Sequence, residues 1–568
     1  MLTMARLPVW VALLSLIAQA HGQPCDVKYP PQTKPVETRQ FSNSRGAVAC
    51  ENEICSTIGI NILRQGGNAA DAMVATVLCV GTVGMYHSGI GGGGFMLIHK
   101  PDGKNESVPY EFVDFRETAP AAATENMFKN NVNASIYGGQ ASGVPGELRG
   151  LEHLHKNYGH LPWSKLVQPA IDVARYGFPV NNDTLKYMKM TYSKTENESF
   201  LFSDPAWAID FAPNGRLLKF GEKLTRKRYA DTLETIAAKG AGAFYEGPIA
   251  DATIRTLKEQ KGIMTTDDLK NYTVAIREPS QINYRGGKVT SGSAPSSGAV
   301  VAAALNILDG YDFLGDPKRV NDSAYLLDEA FKFGYGMRSN LGDPTFVKGL
   351  IEYQSQMYSN DTAQEIRGKL HGRALEVKDY DPKGLESLDT PGTSHVVTMD
   401  NSGLAISLTS TINLNFGSHV IIPETGSNAF GFIPSEANFI KPGKRPLSSI
   451  STTIVEGPDG KVSLVTGSAG GSRIITATVQ VVLNALEKNM TVRDALAAPR
   501  LHDQLEPRQV TFEYAYDNST VAYLNEIGNN VTWIAPGQST AQALRRLLDG
   551  TFEAAGEPRQ ANSGGFST

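Results

Sequence analysis

The residues best suited to chemistry are Gly392-Thr393-Ser394-His395, set between a polar, turn-prone stretch (385–391) and an alternating apolar strand. A threonine there offers a hydroxyl that becomes a nucleophile once a base takes its proton. Taken alone, the tetrapeptide is only a common way to begin a strand. Other candidates fail on context. Gly89-Ile90-Gly91-Gly92-Gly93-Gly94 leads into the strand Phe95–Ile98. A phosphate-cradling loop leaves a strand and opens a helix, so a tight, backbone-lined turn is expected instead. His153, His155 and His160 invite a metal, but helical residues two apart do not share a face, and solvated histidines are expected. Ser293-Ala294-Pro295-Ser296-Ser297-Gly298 is a turn before the apolar run Ala299–Leu308, and no Gly-x-Ser-x-Gly elbow occurs in the chain.

The elements that would position these residues follow from periodicity. Ile54, Ile58 and Ile62 share a stripe, predicting a helix from about 54 to 64 that Gly66-Gly67 stops. Asn68 and Asp71 form a capping box for a second helix through Val83, apolar nearly all round and therefore buried. From about 146 to 383 the chain reads as mostly helical. After about 379 alternation takes over, with hairpins pairing 394–399 with 404–409 and 453–455 with 462–466, followed by a helix over 474–487. Helices, then antiparallel strands, then helices predict an α+β sandwich stacked helix–sheet–sheet–helix.

Bulk properties narrow the setting. The 568 residues are 41% hydrophobic with 53 basic and 58 acidic side chains in no long runs, which excludes wholesale disorder and gives no basic stripe for nucleic acid. Arg6 precedes an apolar run from Leu7 to Ala18, and Ala18-Gln19-Ala20 reads as a cleavage site, so residues 1–20 are expected to be a signal peptide. Ten Asn-x-Ser/Thr sequons between Asn105 and Asn530 fit a glycosylated secretory protein, extracellular or in a vacuole-like lumen. Four cysteines permit three pairings of two disulfides. Cys55, early in one predicted helix, and Cys79, late in the next, suit an antiparallel helix pair, which leaves Cys25 and Cys50 to each other. No CxxC spacing suggests zinc.

An ordered set of motifs gives Thr393 its context. Gly66–Ala72 (Gly-Gly-Asn-Ala-Ala-Asp-Ala), Phe115-Arg116-Glu117, Gly392–His395, Thr409-Ser410-Thr411-Ile412-Asn413, Pro446-Leu447-Ser448-Ser449 and Ala469-Gly470-Gly471 occur in that order. From about Arg45 to the C-terminus this set resembles the γ-glutamyltransferases (glutathione hydrolases) of the N-terminal nucleophile superfamily. The resemblance implies a four-layer αββα fold and a proenzyme that cuts itself between Gly392 and Thr393. A large subunit (21–392) and a small one (393–568) would remain together. Gly392 presents an uncrowded carbonyl that the Thr393 hydroxyl can attack in an N-to-O acyl shift. Hydrolysis of that ester exposes a Thr393 α-amine, pKa about 8, that can serve as base. The resemblance also implies that Thr411 orients the nucleophile and that Gly470 and Gly471 form the oxyanion hole. Arg116, Asn413, Ser448 and Ser449 would hold the glutamyl head. Glutathione and other γ-glutamyl compounds are the implied donors, with water, amino acids or dipeptides as acceptors and no cofactor or metal.

One element departs from the family. After Gly426 the family continues into an acidic, Asn-rich block whose carboxylates hold the substrate α-ammonium; here the chain passes straight to Ser427-Asn428-Ala429. Glu424 and Glu436 flank the junction without falling at the motif position. A shortened sequence variant, a weakened or inactive member and an acylase for other amides all fit this departure.

Overall fold

The computed structural model describes residues 45–100, 109–192, 194–381, 392–426 and 436–568. The expected signal peptide, Cys25, the stretch 385–391 and the junction after Gly426 lie outside them.

Two sheets form the centre. The first has seven strands in the order β13-β1-β7-β8-β2-β3-β4, where β1 is Gly46–Cys50, β2 Gly93–His99, β3 Tyr110–Asp114, β4 Ala275–Arg277, β7 Gly392–Asp400, β8 Ala405–Asn413 and β13 Gly564–Ser567. The second has six, β12-β11-β10-β9-β6-β5, with β5 Ser280–Tyr284, β6 Gly287–Ser291, β9 Thr453–Glu456, β10 Val462–Ala469, β11 Thr540–Arg546 and β12 Phe552–Ala555.

Side-chain alternation assigns the layers. On β7, Val396 joins the cluster beneath the helices α1 (Glu53–Arg64) and α2 (Ala69–Val83), while Val397 and Met399 join the core between the sheets with Phe95, Leu97, Ile454 and Val465. On the far side, Val455, Leu464 and Ala543 pack beneath α4 (Gly298–Asp309), α5 (Val320–Arg338) and α6 (Arg473–Leu486). The expected helix–sheet–sheet–helix stack is present.

Local chemistry explains the helix pair. The Asn52 side chain accepts from the Ile54 amide to start α1, and Asn68 with Asp71 forms a full capping box for α2, whose fifteen residues are all buried. Cys55 and Cys79 form the expected disulfide between them. Cys50 is buried and has no disulfide partner among the described residues, Cys25 lying outside them; burial pushes its thiol up to about 12, and its sulfur contacts the Ser56 hydroxyl at 3.0 Å.

The middle segment departs from its helical expectation at a two-residue strand pair, Phe178–Pro179 with Lys223–Leu224, and more substantially at 275–291. Residues 275–291 form three short strands that serve both sheets, β4 at an edge of the first and β5–β6 in the second. Strands of three to five residues, partly exposed, carry too few alternations to stand out beside long helices. The glycine run is the backbone-lined turn expected. A Cβ on Gly92 would lie 2.8 Å from the Thr411 carbonyl oxygen, and one on Gly94 2.0 Å from that of Thr409. Only glycine lets this segment lie so close to β8. His153 is not simply solvated: its Nε2 lies 2.6 Å from Glu111, and His155 contacts the Leu161 carbonyl. No cluster suited to a metal occurs among the described residues.

Candidate active site

Thr393 and Thr411 are paired directly across β7 and β8, and their hydroxyls lie 3.0 Å apart. The Thr411 oxygen accepts from the Asn413 amide at 2.9 Å, and its hydroxyl donates to the Gly392 carbonyl at 2.5 Å. Its one proton is therefore committed, so Thr393 is the donor in the contact between the hydroxyls. That leaves the Thr393 lone pairs unused in this contact. A bulge between Thr411 and Asn413 sets Asn413 opposite Gly392, with Asn413 at φ 62°. Asparagine tolerates this left-handed conformation better than most residues. A Cβ on Gly392 would meet the Leu414 carbonyl oxygen at 2.2 Å, so glycine is needed there for close approach.

Arg116 follows the end of β3 and is buried. Its guanidinium donates to the Asn413 side-chain oxygen at 2.6 Å, and another nitrogen lies 2.9 Å from the Glu117 carboxylate. The Asn413 amide in turn reaches Glu117 at 3.4 Å. Among the described residues Arg116 Nε has no hydrogen-bond partner. A buried guanidinium with a spare donor suits an incoming carboxylate. Burial raises the Glu117 carboxyl above its ordinary range, and Arg116 opposes that shift.

Ser448 and Ser449, also buried, lie in the loop before β9. A buried ionic cluster fastens this loop to β3. Asp114 accepts from the Arg116 amide at 3.0 Å, pairs with Arg277 at 2.7 Å and lies 3.3 Å from Arg445, while Asp343 accepts from the Arg445 amide. Arg277 also reaches Asp343 at 3.2 Å. The cluster thus ties the strand leading to Arg116 to the segment leading to the serine pair.

Gly470 (φ 123°) and Gly471 (φ 61°) form the turn between β10 and α6. A Cβ on Gly470 would lie 2.5 Å from the Gln538 carbonyl oxygen. Both the conformation and this contact require glycine. The turn lies beyond the end of β10 that packs against β7: a Cβ on Gly467 would touch the His395 ring. Thr393, two residues from His395, shares its face of β7.

Glu424, which flanks the junction after Gly426, pairs with exposed Arg255 on the surface. Two buried acids, Glu51 and Glu147, lie outside every motif of the sequence. Glu51 receives the Ser394 hydroxyl at 2.8 Å and contacts His87 at 3.0 Å on the helix-facing side of β7. Glu147 begins α3 (Glu147–Tyr158), and burial raises its carboxyl to about 8. Nothing in their local sequence marks either one, because only the packing of distant segments buries them.

Comparison with known proteins fits this arrangement. The family model described as Gamma-glutamyltranspeptidase matches residues 55–566. The chain is 52% identical to the glutathione hydrolase proenzyme of Arthroderma benhamiae over 92% of each chain. It is 45% identical to the glutathione hydrolase of Aspergillus flavus, over 97% of this chain and 93% of that one. Among solved structures, a cephalosporin acylase from Bacillus halodurans superposes with a TM-score of 0.82 at 26% identity, covering 95% of this chain and 99% of its own. The gamma-glutamyltranspeptidase of Helicobacter pylori matches 59% of this chain and 94% of its own, with a TM-score of 0.53 at 30% identity. The chain belongs to the gamma-glutamyltranspeptidase family.

Proposed function

We propose that the protein is a secreted glutathione hydrolase and γ-glutamyltransferase that matures by cutting its own chain between Gly392 and Thr393. The observation that carries this reading is the arrangement of three groups: the Thr393 hydroxyl, the Thr411 hydroxyl 3.0 Å away and the Gly392 carbonyl that Thr411 polarises at 2.5 Å. Thr393 attacks that carbonyl, and Thr411 stabilises the oxyanion by hydrogen bonding. The C–N bond then breaks, the hydroxyl proton passes to the freed amine, and the resulting ester is hydrolysed by water. The freed α-amine becomes the base for the next attack, on the γ-amide of glutathione. Arg116, Ser448 and Ser449 hold the α-carboxylate, Asn413 fixes Arg116, and the Gly470 and Gly471 amides face the new oxyanion. Water or an amine then takes the glutamyl group from Thr393.

The absent acidic block leaves the α-ammonium without its family partners. Losing one partner of a buried charged pair costs about 2–5 kcal/mol, roughly 30- to 4,000-fold in binding. We therefore expect a raised KM relative to family members that keep the block. The leader-like N-terminus, the sequons and the Cys55–Cys79 disulfide support passage through an oxidising secretory compartment.

Expression followed by gel electrophoresis and N-terminal sequencing tests the reading. Two fragments, the smaller beginning at Thr393, and chromophore release from a γ-glutamyl anilide are expected. Thr393→Ala should abolish both. A chain that stays single overturns the proposal. Fragments that cleave other amides but no γ-glutamyl anilide would favour an acylase, the reading that the superposition on cephalosporin acylase supports.

A further inference from the structure

The serine pair has a second layer behind it. Arg338, buried at the C-terminal end of α5, donates from one terminal nitrogen to the Ser449 hydroxyl oxygen at 3.0 Å and from Nε to the Ser297 hydroxyl oxygen at 2.9 Å. Ser297 spends its own proton on the Ser448 carbonyl at 2.6 Å. Backbone bonds lace the same turn to the serine loop: the Ser448 amide donates to the Pro295 carbonyl, and the Ser297 amide to that of Ile450, both at 2.8 Å. The Pro295-Ser296-Ser297-Gly298 turn therefore buttresses the loop that carries Ser448 and Ser449.

The direction of these bonds matters. A guanidinium can only donate, so Ser449 must accept from Arg338, and its single proton has to point elsewhere. Ser448 likewise accepts, from the Ile450 amide at 3.2 Å. Among the described residues neither hydroxyl donates to a protein acceptor. Each hydroxyl thereby keeps its proton for an acceptor outside the protein, which is what a carboxylate supplies. A cation bonded to the Ser449 oxygen also makes its O–H a stronger donor. One turn earlier on the same helix, the Tyr335 hydroxyl bonds the Ser472 carbonyl, next to the Gly470-Gly471 turn.

We propose that Arg338 is a positioning residue that, through Ser449 and Ser297, sets the serine pair to recognise the α-carboxylate of the substrate. The proposal rests on the glutamyl-binding role given to the serine pair above.

The test compares wild type, Arg338→Lys and Arg338→Met on two anilides, γ-glutamyl and 4-aminobutyryl. The second keeps the amide and the ammonium but lacks the α-carboxylate. Arg338→Met should raise KM for the γ-glutamyl anilide roughly 10- to 100-fold, the range of a charge-assisted hydrogen bond, with kcat changed less. Kinetics on the 4-aminobutyryl anilide and the fragment pattern should stay within about twofold. Arg338→Lys, which can still donate to Ser449, should recover part of the loss. Equal losses on both anilides would make Arg338 a purely structural residue and overturn the proposal. Calorimetric binding of free glutamate needs no turnover and separates the two readings. If the wild type cleaves neither anilide, the proposed function fails, yet weaker glutamate binding by Arg338→Met would still support the Arg338 role, and unchanged binding would overturn it.

Discussion

Thr393 and Thr411 face each other at 3.0 Å across β7 and β8, with the Thr411 hydroxyl bonded to the Gly392 carbonyl. The two hydroxyls are thus fixed by strand register rather than by a flexible loop. A shift of β8 by one residue would turn Thr411 to the opposite face.

Thr411→Val keeps the shape of the side chain and removes the hydroxyl. The rate of fragment appearance should fall by about 100- to 1,000-fold, the usual effect of losing one oxyanion donor. Thr411→Ser should stay within about tenfold of wild type. A time course on gels reads both, and processing of the valine variant at the wild-type rate would remove Thr411 from this role.

Arg116→Met removes the fork that Asn413 holds at 2.6 Å, and KM for a γ-glutamyl anilide should rise by roughly 30-fold or more. Because the change strands Glu117, which is fully buried, the double variant Arg116→Met/Glu117→Gln should fold better than the single one while keeping the KM defect. Thermal denaturation and steady-state kinetics together check this pair of outcomes.

The Cys55–Cys79 bond closes a loop with a sequence separation of 24 between α1 and α2. Replacing both cysteines by alanine should cost about 3–4 kcal/mol through the freedom regained by the unfolded chain. The denaturant midpoint should drop with little change in the site, so an unaltered midpoint would contradict the estimate.

Glu147 gives stability a definite pH dependence. Burial raises its carboxyl to about 8, above the unfolded value near ~4.3, so it stays protonated in the fold. Its stabilising contribution is complete below about 4.3 and is lost as pH rises toward 8. Glu147→Gln should therefore gain stability relative to wild type across that window, by up to about 1.4 kcal/mol per pH unit. His395 has the opposite sign, since burial lowers it to about 3 and its contribution fades as pH falls below ~6.5. Denaturant titrations at pH 5 and 8 measure the Glu147 effect, and a constant difference between variant and wild type would refute it.

By itself the sequence determined everything carried by local periodicity or by ordered motifs. The helix cap at Asn68, the Cys55–Cys79 pair, both hairpins and the family motifs around Thr393, Thr411, Arg116 and Ser448–Ser449 depend on neighbours a few residues away or on spacing along the chain. Only the tertiary structure decided what depends on distant segments meeting. The short strands of 275–291 are held by partners at 112–114 and 453–456, which no local pattern announces. The proton held by Glu147 follows from how deeply packing buries it, and the outward set of the Ser449 hydroxyl follows from Arg338, over a hundred residues away. Burial and bond direction belong to the folded chain, because each depends on every element packed around the group.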